Sequence, residues 1–331
     1  MSDFVALQAK LAALFGPSGC EGSVASFIKE YATPYSDDIT VDTLGNLIVH
    51  KKGNGKKIMV TAHMDSIGII VTRIEKSGLL KFCSAGAARY VSNYSSTQII
   101  FENGTRGVIY GEASSDISKP NSNLYIDIGA SSDEIAKENV RIGDRAVYQP
   151  NTFSQNGKLF SNYLDDRIGC VVLMEALSKL KNSENDIYFV FSVQEEVGFR
   201  GIKTATQLIN PDFAITVDVT PTSDMPCSES NGNTELGKGV AIKVADCTVI
   251  CNSKFVQQLE NIAKTSNIIY QLEIMHNGTD AGAIQGVGSG IYVGGIGIPT
   301  RYVHSAIEVA DISDIEACIE MIVKVAGQFK M

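Results

Sequence analysis

The sequence predicts an α/β protein in two parts: a discontinuous domain with a central mixed sheet flanked by helices, and an inserted small β-rich domain. Three features of the 331 residues carry that expectation. Continuous apolar runs such as Ile58–Ala62, Ile187–Val193 and Phe213–Val217 suit strands buried on both faces. Stretches with a 3.6-residue apolar period alternate with them, as crossover helices would. Between Ile67 and Asn156 that alternation stops, and short β-like pieces recur between Gly, Ser and Asn turns.

In chain order, Leu7, Leu11 and Leu14 share one helical face, which Gly16-Pro17-Ser18-Gly19 ends. Val24, Phe27, Ile28 and Tyr31 mark a second helix with Ser23 as its expected cap. A hairpin is expected around Gly45-Asn46, and a basic turn from Lys51 to Lys57 leads into the strand that ends at His63. The insertion carries IIVTRI, LLKFC, TQIIFE, GVIYG, NLYIDI and RAVYQ, with one short helix expected in SSDEIAKEN. Beyond it, DRIGCVVLMEALSKL reads as a helix, another is expected around Phe255–Ala263, and a strand near Gly290–Val293. The last helix opens at Asp311 and places Ile315, Ile319, Ile322, Val323 and Ala326 on one stripe. The expected domain limits are 1–66 with 159–331 for the discontinuous domain, and 67–158 for a barrel-like insertion.

A content of 44% hydrophobic and 20% charged residues is that of a globular protein and excludes disordered, collagen-like or disulfide-scaffold classes. The net charge of −9 argues against nucleic acid or an anionic membrane as partner. No apolar stretch approaches the ~20 residues of a membrane-spanning helix, and MSDFVALQAK lacks the features of a signal peptide. The seven cysteines (20, 83, 170, 227, 247, 251 and 318) are odd in number and scattered, as reduced thiols of a cytoplasmic protein would be.

Ligands of open α/β sheets gather at the carboxyl ends of the strands. There the sequence sets His63-Met64-Asp65, Gln194-Glu195-Glu196 and Asp218, each directly after an apolar run. Asp165-Asp166-Arg167 precedes a helix, and His304 stands in PTRYVHS. Carboxylates and imidazoles without cysteine suit zinc, cobalt or manganese. A bridging carboxylate among five such ligands would hold two ions about 3.5–4 Å apart. Singly, each motif has a structural reading: a satisfied strand-end histidine, acids favoured at a helix N-terminus, or a solvated Glu-Glu turn. Three buried strands each followed by an acid or imidazole argue for a site, because burying such charge without a metal is costly.

AHMDSIG, YLDDRIG, VQEEVG, VDVT, NGTDAG and IPTRYVHS occur in this order, with GPSGCEGSV and NLYIDIGASS between and before them. The chain resembles the TET-type aminopeptidases over almost its whole length. These form family forty-two of the metallopeptidases, with glutamyl aminopeptidases and proteins labelled endoglucanase M. The resemblance implies two divalent ions, zinc or cobalt and alternatively manganese, bridged by Asp165. His63 and Asp218 would complete one site, and Glu196 and His304 the other. Glu195 would be the general base, and Asp65 the partner that orients His63. The implied reaction is hydrolysis of the N-terminal residue of a peptide by a shared metal-bound water. Thr279 and Asp280 would lie near the substrate; a capped helix start is the alternative for that turn.

Departures from the family pattern at Asn162-Tyr163-Leu164 and at Asn277 bear on specificity. His276 reads as a loop histidine and His50 as structural or exposed. The resemblance also implies dimers formed through the inserted domain, six of which build a hollow dodecamer. Three rivals stand beside the peptidase. A carboxypeptidase or N-acyl deacylase would use Arg167 or Arg301 for a substrate carboxylate. A glycoside hydrolase would need opposed carboxylates about 5–9.5 Å apart. The third is an inactive scaffold.

Overall fold

The computed structural model describes residues 3–86, 96–111, 124–181, 183–226 and 233–329, so Cys227 lies outside the described residues. Four strands run parallel at the centre, in the order Asp186–Ser192, Lys57–His63, Phe213–Pro221 and Tyr292–Arg301. Antiparallel strands extend the sheet on both sides. Leu47–Lys51 and Asp38–Val41 lie beyond Asp186–Ser192. Glu308–Asp311, Lys158–Ser161 and Thr152–Gln155 lie beyond Tyr292–Arg301. Val240–Ala245 also pairs with Tyr292–Arg301 and carries Tyr270–Ile274. The sheet is mixed, as expected.

The apolar runs are continuous because helices cover both faces of the central strands. Helix Leu164–Lys179 packs on Lys57–His63 and Phe213–Pro221 and is itself covered by helices Asp3–Ala13 and Ile312–Gln328. Residues from Leu164 to Leu177 along it are buried, which explains an apolar sequence with no polar stripe. Helices Arg200–Ile209 and Ser253–Thr265 are amphipathic and bury one face each.

The inserted segment closes on itself. Strands Gly68–Ile74, Leu80–Ala85, Leu124–Asp127, Arg106–Gly111, Thr97–Phe101 and Arg145–Tyr148 form a barrel in that order. Its core of Ile69, Val71, Leu80, Ile99, Ile109 and Ile126 is separate from that of the large sheet. Closure gives each of these six strands a neighbour on both sides, although Leu80–Ala85 meets Leu124–Asp127 only where Leu80 pairs with Ile126. Ser132 caps the short helix Asp133–Asn139 in the same segment.

Three local expectations are corrected. The second helix, Gly22–Ala32, has Glu21 at its N-cap position; the Ser23 hydroxyl instead donates to the Phe15 carbonyl. The strand expected at Gly290–Val293 is Tyr292–Arg301, much longer, and its glycines hid it. They are needed for packing: a Cβ on Gly294 would lie 2.4 Å from the Phe255 ring. Asp165 and Asp166 have non-helical backbone, so the helix proper begins after them. Among the described residues no helix is long and apolar enough to cross a membrane.

Candidate metal centre

Because the four central strands are parallel, their carboxyl ends open on one side. The register sets Ser192 beside His63 and Thr216 beside Thr61, which brings Asp218 level with His63. Glu195-Glu196 lies just past the end of Asp186–Ser192, and His304 just past Tyr292–Arg301. Asp165 and Asp166, joined by a cis peptide, approach from the start of helix Leu164–Lys179.

These side chains meet. His63 Nε2 lies 3.0 Å from Asp165 Oδ1, 3.9 Å from Asp218 Oδ1 and 4.0 Å from Glu195 Oε2. His304 Nε2 lies 3.0 Å from Asp165 Oδ2 and 3.2 Å from Glu196 Oε2. The two oxygens of Asp165 thus face two different imidazoles. His63, Glu195 and Asp218 present possible ligand atoms within 4.8 Å of one another, and so do His63, Asp165 and Glu196. All six residues line one cavity of about 410 Å³.

The electrostatics are those of a site short of positive charge. Burial pushes the carboxyls of Glu195 and Asp218 well above the usual carboxylate range, and neighbouring acids add to the effect. Burial raises Glu196 likewise. Burial also disfavours the charged imidazole of His63, yet the acids around it, Glu195 first, raise its pKa well above the ordinary value. His304 behaves in the same way, with Glu196 first among its partners. Burial opposes ionisation of Asp165, but both histidines hold its carboxyl low. Among the described residues lining the cavity there is no lysine or arginine. Glu196 Oε1 is buried without a hydrogen-bond partner among them. An acid-rich set of oxygen and nitrogen donors with an unclaimed carboxylate oxygen fits divalent cations.

Each part of the cluster is tied down by a buried acid outside the candidate ligand set. Asp65 accepts the backbone N–H groups of Glu195 (2.9 Å) and Glu196 (3.2 Å) and the Ser18 hydroxyl (2.7 Å). Its carboxylate is 3.5 Å from His63 Nδ1, while the Asp65 carbonyl is nearer at 3.1 Å. Glu308 accepts the N–H groups of Asp165 (3.0 Å) and His304 (2.8 Å). Asp166 accepts that of His63 (3.2 Å) and of Gly169 (3.1 Å). Gly169 is needed there, since a Cβ would fall 2.2 Å from Asp166 Oδ1. Left-handed backbone at Gln194 (φ 56°) and His304 (φ 64°) turns the chain beside the cluster. Such conformations in non-glycine residues are uncommon and need support from their surroundings.

Glu308 is absent from the sequence-based set, and Asp166 stands there only within Asp165-Asp166-Arg167, with no role assigned. The signal for Glu308 was a lone acid between Ile307 and Val309, in a strand buried at every position. Thr279 lines the cavity and donates to Asp246 (3.0 Å). Asp280, by contrast, opens helix Asp280–Gln285 and takes the Ser192 hydroxyl (2.7 Å). Burial lifts Asp280 to about 6. His276 lines the cavity wall. His50 pairs with Asp186 (2.7 Å) and stacks on Tyr188. Arg167 is fully buried on the Leu11 and Gly16 carbonyls, and Arg301 is paired with Asp224. The two arginines a carboxypeptidase reading would use are therefore both engaged elsewhere.

The model of the M42 peptidases, described as M42 glutamyl aminopeptidase, matches residues 45–321. This chain belongs to the M42 aminopeptidase family. A candidate aminopeptidase of Acetivibrio thermocellus is 46% identical over 327 residues, covering 97% of this chain and 98% of that one. Aminopeptidase APDkam598 from the archaeon Desulfurococcus kamchatkensis superposes with a TM-score of 0.93 at 34% identity, covering 99% of this chain and 95% of that one. The TET1 peptidase of Pyrococcus horikoshii, which can assemble into a tetrahedron or a large octahedral shell, gives 0.87 at 31% identity over 98% of this chain and all of its own. The M42 fold, a helix-flanked mixed sheet with a small closed barrel, is thus shared over nearly the whole length, and the chain is a hydrolase of the aminopeptidase class.

Proposed function

We propose that this M42 aminopeptidase is a dinuclear metalloenzyme that removes N-terminal residues from peptides with a free amine. The carrying observation is Asp165, whose two oxygens each lie 3.0 Å from a different histidine. In this reading Asp165 is shared, His63 and Asp218 complete one ion's ligands, and Glu196 and His304 complete the other's. The close groups about His63 include Glu195 as well, so proposed base and ligands lie together. Zinc and cobalt suit this donor set, and manganese does also. When bound, such ions supply Lewis acidity toward a carbonyl and make water more acidic.

Glu195 acts as the general base. Its backbone is held by Asp65 and its carboxylate faces the cavity, so Oε2 can take a proton from water and return it to the leaving amine nitrogen. Asp65 has two tasks: it receives the His63 ring from one side and fixes the Glu195-Glu196 backbone from the other. Thr279 belongs to the substrate wall, while Asp280 lies behind it on the Ser192 hydroxyl and does not line the cavity. The decisive pair of measurements is hydrolysis of aminoacyl-anilides with and without zinc or cobalt, and the same assay on Glu195→Gln. That variant should keep its metal while turnover falls about 10³-fold. Undiminished hydrolysis by it removes the proposed base.

We further assign residues 67–158 to a dimerisation domain and the remainder, 1–66 and 159–331, to the catalytic domain, with dimers assembling into a dodecamer in the cytoplasm. The separate barrel core supports this, as do apolar side chains left exposed on that segment, Tyr110 and Ile142 among them. The assembly of the Pyrococcus horikoshii relative supports it also. Size-exclusion chromatography with light scattering tests it, and a monomer at working concentration refutes it.

A further inference from the structure

The cavity beside the cluster has a one-sided chemistry. Away from the acids and histidines, Phe199, Val219, Pro221, Met275 and Val303 form an apolar stretch of its wall, with the uncharged Cys247, Asn277 and Thr279 completing the lining. Among the described lining residues there is no lysine or arginine, and no carboxylate outside the cluster. A charged side chain seated on that apolar stretch, away from the four carboxylates, would shed its water without gaining a partner of opposite charge among the described lining residues.

A cation does lie behind this wall. The ammonium of Lys243, a residue only 2% exposed, is 3.1 Å from the Met275 sulfur. It is already engaged by Glu273, in a very short contact, and by Asp246 at 3.2 Å. The Met275 side chain therefore closes the wall between the cavity and a charge that the protein has compensated from within. A thioether is a weak acceptor and a soft, adaptable apolar surface, suited to screening an ammonium on one side and receiving an apolar group on the other.

We propose that this cavity selects neutral, apolar N-terminal side chains such as leucine, methionine and phenylalanine over glutamate and lysine, with Met275 as a specificity-determining residue. The proposal rests on the aminopeptidase reading above and adds the substrate class to it.

The test is a ranking of kcat/KM on the para-nitroanilides of Leu, Met, Phe, Glu and Lys, using the full chain loaded with zinc or cobalt. Leucine or methionine should exceed glutamate and lysine by at least about tenfold, since an unpaired charge is rejected more strongly than a changed methylene. Glutamate or lysine ranking first, with measurable turnover, overturns the proposal and leaves the aminopeptidase reading standing. No turnover on any of the five takes down both. Met275→Arg then sets a guanidinium in the wall, and the Glu-to-Leu ratio should rise about tenfold or more, chiefly through KM. An unchanged ratio, in a variant whose circular dichroism matches the parent and which still cleaves Leu-anilide, removes Met275 from the role. The ranking of the unaltered chain stands independently of how that variant folds.

Discussion

Around Lys243, one ammonium meets the carboxylates of Glu273 and Asp246, and all three side chains are sealed from solvent. Around Asp165, four carboxylates meet two imidazoles, and no lysine or arginine among the described residues lines the space. The two clusters stand on neighbouring parts of one sheet and are buried to a similar degree, yet only the first carries its own fixed cation. Burial pushes Glu273 upward in the first and Glu195 in the second. In the first, Glu273 and Asp246 raise the Lys243 ammonium in turn, against its own burial. In the second the deficit remains, and an external cation is what would offset it. A buried charge cluster is thus a pointer to a bound ion when its own cations are too few, and a piece of scaffold when they are not.

That contrast can be broken most severely at Asp165. Asp165→Ala should lower bound metal from about two equivalents per chain to one or none and cut turnover at least about 10³-fold, read by elemental analysis and anilide hydrolysis. Full retention of metal would erase the difference between the clusters. In the compensated cluster, Lys243→Met should cost about 3–5 kcal/mol in urea unfolding, because two buried carboxylates lose their partner. Adding Glu273→Gln should recover part of that loss. A smaller effect is expected from Glu308→Gln, which sets an amide N–H against one of the two backbone donors it now accepts. Stability should fall by about 1–3 kcal/mol, and metal affinity by about 10-fold to 100-fold with it.

The smallest effect belongs to a third pair, partly open to solvent. The Arg301 guanidinium holds the Asp224 carboxyl down at about 2, against some burial. The folded state therefore binds this proton less readily than the unfolded chain, whose value is about 4. The pair's contribution is complete above about pH 4 and fades as pH falls through about 2; allowing for solvent screening it is about 1 kcal/mol. Arg301→Gln should flatten that part of the acid-unfolding curve and leave the neutral-pH metal content alone.

Much of this architecture was legible in the order of residues. Strands buried on both faces announce themselves as unbroken apolar runs, and the polar residues next after each run mark the open end of the sheet. His63, Glu195-Glu196 and Asp218 could therefore be found one after another. The barrel was legible as a change of texture. Tyr292–Arg301 was not, because its glycines serve close packing and dilute the apolar signal. The braces that Asp65 and Glu308 make to Glu195 and Asp165 were invisible for another reason. They join side chains to backbone groups 130 and 143 residues away, and no local spacing encodes such a contact. Arg167 misled in the opposite sense: an arginine beside two aspartates looks like a substrate anchor, but it is spent on the Leu11 and Gly16 carbonyls.

The barrel is threaded between two halves of the cluster, so that His63 and Asp165 stand 102 positions apart. His304 arrives much later still. A growing polypeptide therefore carries the first histidine long before it can oppose it with the second, and the intervening loop must close first. On the proposed ligand set, a copy that ends before His304 should have no hydrolytic activity, because its cluster is still incomplete.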